Sequence, residues 1–127
     1  MGSLNKVLLI GRLGRDPEAR ATAGGTNVSS FSIATDYIRN SNGTSEKQTE
    51  WHRVVAYGKL ADTCTGYLHK GRLVFVEGAL RTRSWEKAPG QKQYATEVVA
   101  SRVTFLSPRP GTGNPLAASE PDAEPEF

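Results

Sequence analysis

Three short β-type runs, one helix-patterned stretch and two further β-type runs follow one another along this chain, an order that few small folds accommodate. Residues 4–11 are rich in branched aliphatics and are followed by Gly14, so they read as a strand. Gly24-Gly25 marks a turn. Val28 to Thr35 then alternates, with Phe31 and Ile33 on one face and small residues on the other. Residues 39–48 are polar and hold the turn signal Asn42-Gly43, so a loop is expected there. Glu50 to Tyr57 gives the third strand. Leu60, Ala61, Cys64, Tyr67 and Leu68 recur at helical spacing. Gly71 is placed to close that helix, with His69 and Lys70 in its last turn, where positive charge suits the helix dipole. Arg72 to Arg83 and Gln93 to Leu106 make the fourth and fifth strands, joined through Ala88-Pro89-Gly90.

From Ser107 onward Pro and Gly recur and the apolar periodicity stops, so a disordered, flexible acidic tail is expected over 107–127. The remaining residues, 1–106, suffice for one compact domain. An all-β fold is expected: five strands with one short helix between the third and fourth suit a Greek-key barrel of the OB type, and the order alone leaves other short sheets with one helix open.

Composition narrows the function. Cys64 is the sole cysteine, which excludes an internal disulfide framework and any multi-cysteine metal site. His52 and His69 are too few and too far apart for a zinc cluster, so no metal is expected. Gly58-Lys59 is followed by Leu60, which has no hydroxyl for magnesium, and no Gly-x-Ser-x-Gly elbow occurs. No catalytic residues and no cofactor are expected. No apolar run approaches the roughly 20 residues that cross a bilayer, and Val7 to Ile10 is too short for a signal-peptide core. A cytoplasmic protein without membrane contact is expected. The net charge of +3 hides an asymmetry. Residues 107–127 carry one basic residue against four acids, a net −3, and residues 1–106 carry fifteen against nine, a net +6. A basic body suggests an anionic partner.

The third strand shows what that partner would be. Its period of two puts Trp51, Arg53, Val55 and Tyr57 on one face and Glu50, His52, Val54 and Ala56 on the other. Flat rings alternating with a guanidinium suit single-stranded nucleic acid, whose bases stack and whose phosphates pair with cations. The competing reading has Trp51 and Tyr57 in the core with Arg53 snorkelling past them. Arg81, Arg83 and Trp85 form a second such cluster at a hairpin tip, where packing explains an exposed Trp poorly.

The runs Asn5-Lys6-Val7, Gly11 to Glu18, Thr49 to Val55, Gly58 to Ala61, Glu77-Gly78, Leu80 to Trp85 and Thr96 to Val99 resemble, in order and with matching gaps, the bacterial single-stranded DNA-binding protein family over about residues 4–106. The resemblance implies an OB fold, usually homotetrameric, that coats single-stranded DNA in replication, recombination and repair. It implies stacking by Trp51, Tyr57 and Trp85 and a DNA path lined by Arg53, Lys59, Lys70, Arg81 and Arg83. Tyr37 is the candidate for a further stacking aromatic, and His52 matches a position used at a subunit contact. A nucleoid-associated protein in a bacterial cytoplasm follows from the same resemblance. An alternative is a primosome-type or RNA-binding OB relative that chiefly recruits proteins.

The tail departs from the family pattern of several aspartates followed by Ile-Pro-Phe. Here Asp122, Glu124, Glu126 and Phe127 keep the charge and the terminal aromatic, which suits docking of Phe127 into an apolar pocket with a basic rim on replication and repair proteins. Gly2-Ser3 and Glu126-Phe127 are also dipeptides that two common restriction sites encode, a competing origin for both ends.

Overall fold

The computed structural model describes residues 2–106; the expected disordered tail, 107–127, lies outside the described residues. Six strands and one helix follow in the order β1 (Val7–Leu13), β2 (Glu18–Ala21), β3 (Asn27–Ser41), β4 (Thr44–Tyr57), α1 (Lys59–Tyr67), β5 (Leu73–Ala88) and β6 (Gln91–Phe105). They form one sheet in the order β1-β5-β6-β4-β3-β2. β1 also pairs with β3, Arg12 opposite Ala34 and Leu13 opposite Ile33, and this second pairing closes the sheet into a barrel. The five expected strands and the helix between the third and fourth are all present.

The barrel interior is aliphatic. Leu13, Phe31, Ile33, Val54, Val74, Val76, Val98 and Ala100 fill it, and α1 adds Ala61 and Cys64 from one end. Complete burial of each of the larger side chains stabilises by roughly 1.5–3 kcal/mol. β1 lies so close to β3, and β5 to β6, that a Cβ at Gly11 would collide with the Ala34 carbonyl and one at Gly78 with the Val99 carbonyl. Gly78 sits at a register shift after Glu77, where β5 stops pairing with β1 and continues outward with β6 alone. Just beyond, the Asn5 side chain takes the place of a neighbouring strand: its amide donates to the Leu80 carbonyl at 2.8 Å and its oxygen accepts the Leu80 N–H at 2.9 Å.

Three segments differ from expectation. Residues 39–48 are not a loop, because β3 and β4 pair without interruption from Val28–Tyr57 to Ser41–Thr44. Asn42 and Gly43 both take positive φ, 50° and 77°, as a two-residue type I′ turn requires, so the turn carries the ladder to its end. Asp36 ties the polar part of this ribbon together, accepting from the Thr49 hydroxyl at 2.8 Å and pairing with Lys47 at 3.3 Å. The helix ends at Tyr67, before His69 and Lys70, and Gly71 does not close it. Leu68 turns extended to bury its side chain, and Gly71 (φ 87°) instead serves the turn in which Arg72 N–H bonds the His69 carbonyl. β2 is a short additional strand on the outer edge of β3, exposed throughout, with no apolar alternation to mark it.

Gly78→Ala is expected to destabilise by at least about 1–3 kcal/mol, read as a lower urea midpoint with an unchanged slope. Burial pushes the Cys64 thiol up from 9.0 to about 11. The unfolded chain therefore gives up this proton first, and the associated stability is full below pH 9.0 and is lost as pH rises through about 11. Stability is expected to fall by up to about 1.4 kcal/mol per pH unit in that window. Cys64→Ala should lose less over the same alkaline range, which urea titration at two alkaline pH values would show.

Candidate nucleic-acid interface

Period-two alternation decides which side chains leave the barrel. On β4, His52, Val54 and Ala56 turn inward, and Trp51, Arg53, Val55 and Tyr57 turn outward. β6 lies beside β4 in a short parallel pairing, Val54 opposite Val98 and Val55 opposite Val99. Glu97 and Val99 thus share the outer face with Arg53 and Val55. β5 pairs with β6 on the other side, Arg81 opposite Glu97 and Arg83 opposite Ala95, so Arg81, Arg83 and Trp85 join the same face. The two aromatic-basic clusters read from the sequence are thereby one surface, with β6 between them.

The rings on it are open to solvent. Trp51 is 56% exposed, Trp85 41% and Tyr57 37%, which excludes the core reading of Trp51 and Tyr57. Each ring is set by a neighbour. The Arg83 guanidinium lies 4.8 Å from the centre of the Trp85 ring. That of Arg81 lies 5.4 Å from the Tyr57 ring and donates to the Tyr57 hydroxyl at 2.7 Å. Such contacts hold a cation and a ring together without covering the whole ring. Trp51 lies against Gly14, where a Cβ would come within 2.5 Å of its Cζ3.

Beside Trp51 runs a groove of about 690 Å³, lined by the turn Gly14 to Glu18, by Ser30 to Ser32 of β3, and by Trp51 and Arg53. The Ser30 hydroxyl is buried there and has no hydrogen-bond partner among the described residues. Asp16 on the rim accepts from the Lys70 backbone N–H at 2.8 Å, which brings the exposed Lys70 to this end of the face. Lys59 is exposed at the first turn of α1, two residues beyond Tyr57. In OB barrels the middle strands and the loops flanking them form the oligonucleotide-binding side, the side that this groove and these rings occupy.

Two expected site residues lie elsewhere. Tyr37 pairs opposite Gln48, so it stands on the other face of the β3–β4 ribbon from Trp51, 44% exposed. His52 is half-buried on the inward face, its Nε2 2.7 Å from the Thr35 hydroxyl. Asp122, Glu124, Glu126 and Phe127 lie outside the described residues.

Residues 4–106 match the model of the single-strand binding protein family. The chain belongs to that family. Among its relatives, "Single-stranded DNA-binding protein 1" of Chlorobaculum tepidum is 48% identical over 126 residues, 98% of this chain and 78% of the relative. The single-stranded DNA-binding protein of Thermotoga maritima is 47% identical over 111 residues, 87% of this chain and 79% of the relative. A solved Plasmodium falciparum SSB complex with ssDNA superimposes with a TM-score of 0.76 at 38% identity, covering 84% of this chain and 98% of that one.

In this member of the family one central residue of the face escaped the sequence reading. Glu97, only 3% exposed, pairs with Arg53 Nε at 3.3 Å and Arg83 Nε at 3.7 Å. Its alternation with Val98 shows that it faces outward, but nothing local in the sequence shows that β4 arrives beside it. Gly14→Ala is expected to push the Trp51 ring off its seat. In a Trp85→Phe background, the remaining tryptophan's emission maximum and near-ultraviolet dichroism should both change, with the melting temperature lowered only slightly.

Proposed function

We propose that this chain binds and coats single-stranded DNA without sequence preference, serving replication, recombination and repair without catalysing a reaction. The observation that carries the reading is the single outer face of β4, β6 and β5. It presents Trp51, Tyr57 and Trp85 among Arg53, Arg81 and Arg83. Bases stack on the rings, each worth about 1–3 kcal/mol whatever its identity, and the guanidiniums with Lys59 and Lys70 take the phosphates. The names of the relatives and the DNA-bound neighbour support the same ligand. Tyr37 would meet a strand that continues around the β3–β4 ribbon.

Residues 1–106 are proposed as the binding domain, and 107–127 as an acidic tail whose Asp122, Glu124, Glu126 and Phe127 recruit replication and repair proteins. A homotetramer with His52 at a subunit contact is proposed on the family resemblance. Leu8, Ile38, Leu80 and Tyr94, exposed on the strands, supply apolar area that further copies would cover. The proposed location is the cytoplasm, at the nucleoid; among the described residues no helix is long and apolar enough to cross a membrane.

Titration with a thymidine homopolymer tests the reading by tryptophan fluorescence, against a duplex of equal length. The single strand should quench strongly and the duplex weakly. Trp51→Ala and Trp85→Ala should each weaken binding by about 1–3 kcal/mol. Equal affinity for duplex, or unchanged affinity in both variants, would reject it. A clear preference for RNA over DNA would support the RNA-binding alternative.

A further inference from the structure

A carboxylate at the centre of a face that receives a polyanion calls for a physical reason. Glu97 is that carboxylate, with 3% exposure, and its two oxygens face different arginines: Oε2 lies 3.3 Å from Arg53 Nε and Oε1 lies 3.7 Å from Arg83 Nε. Burying a charge is costly unless it is paired, and here both partners keep 43% and 45% of their side chains in solvent. The buried member of the cluster is therefore the acid, and the cations it holds are the members that an incoming strand can reach. They come from β4 and β5, which do not pair with each other, and Glu97 on the strand between is their common anchor. Both closest contacts use Nε, the inner nitrogen of each guanidinium, and Arg83 is additionally set over the Trp85 ring.

We propose that Glu97 is a positioning residue for single-strand binding, an inference that rests on the function proposed above. It fixes Arg53 and Arg83 in one arrangement before the strand arrives, so less side-chain freedom is lost on binding. It also cancels one of their two charges. Phosphate is then drawn to this pair less strongly than to Arg81, Lys59 and Lys70, which Glu97 does not pair with.

The test is the salt dependence of oligothymidylate binding by the full chain, followed by tryptophan quenching, with the melting temperature of every variant measured alongside. Glu97→Gln keeps the shape of the side chain and removes its charge. It should steepen the plot of log affinity against log salt by about 0.7 for the charge released to phosphate. At the highest salt it should bind several-fold more weakly than wild type, because the two arginines are no longer held. Glu97→Asp keeps the charge and withdraws it, so it should bind several-fold more weakly at every salt concentration with the wild-type slope. A Glu97→Gln protein with the wild-type slope, even if uniformly weaker or less stable, would overturn the proposal and leave Glu97 a structural ion pair. Should Glu97→Gln fail to fold, Glu97→Asp decides, and wild-type affinity in that variant overturns the proposal. Failure of the wild-type chain to bind the single strand would instead reject the function on which the proposal rests.

Discussion

Two residue pairs, Val54 opposite Val98 and Val55 opposite Val99, make up the whole parallel contact between β4 and β6, and the outer face depends on them. They join the β3–β4 hairpin to the β5–β6 hairpin on one side of the barrel, and the pairing of β1 with both β3 and β5 joins them on the other. A slip of one residue in this short ladder would reverse every side chain of β6 relative to β4. Val98 would leave the core and Glu97 would enter it. The slip is opposed by the barrel interior, where Val54, Val98 and Ala100 pack with Val74 and Val76. The arrangement of the exposed aromatics is thus fixed by aliphatic packing on the opposite side of the same strands.

Both hairpins extend past the barrel, and their outer halves have little core to hold them. The β3–β4 ribbon relies on its continuous ladder, its type I′ turn and cross-strand polar pairs such as Asp36 with Thr49 and Lys47. The Thr49 hydroxyl, with help from Lys47, holds the Asp36 carboxyl below its ordinary value. The β5–β6 arm is fixed at its root, where Gly78 lets the backbones approach and Asn5 closes the hydrogen bonds of Leu80 after β1 has ended. Arg81, Arg83 and Trp85 all lie just beyond that root. Their precision as a group rests on a glycine and an asparagine outside that group.

Much of this was legible in the sequence because it is local. Alternation along Trp51-His52-Arg53-Val54-Val55-Ala56-Tyr57 separates an aromatic face from a core face without reference to any other strand. The helix before β5 follows in the same way from its spacing. What escaped depends on pairing between segments distant in the chain. β2 exists because β3 offers it an edge, and its own residues carry no strand pattern. Residues 39–48 look like a loop because both faces of the ribbon are exposed there, so the apolar half of the alternation is missing. The helix ends early because burying Leu68 outweighs another helical turn. The role of Glu97 is the most distant of these, since its partners lie on two other strands.

The same contacts explain how such a face would tolerate any base sequence. Base edges are discriminated by fixed donors and acceptors, whereas ring faces accept every base and a cation on the backbone accepts every phosphate. On this face several groups able to read an edge are already engaged within the protein. Asp16 accepts from Lys70, Asp36 from Thr49, and the Tyr57 hydroxyl from Arg81, while Glu97 is paired with two arginines. What stays open to a strand is chiefly ring surface and positive charge. The buried Ser30 hydroxyl in the groove lacks a partner among the described residues. A hydroxyl rotates to donate or to accept, so it can satisfy either kind of edge atom and selects neither. Under the proposed function, tolerance of any base would follow from ring faces carrying the contact while these acids keep partners of their own.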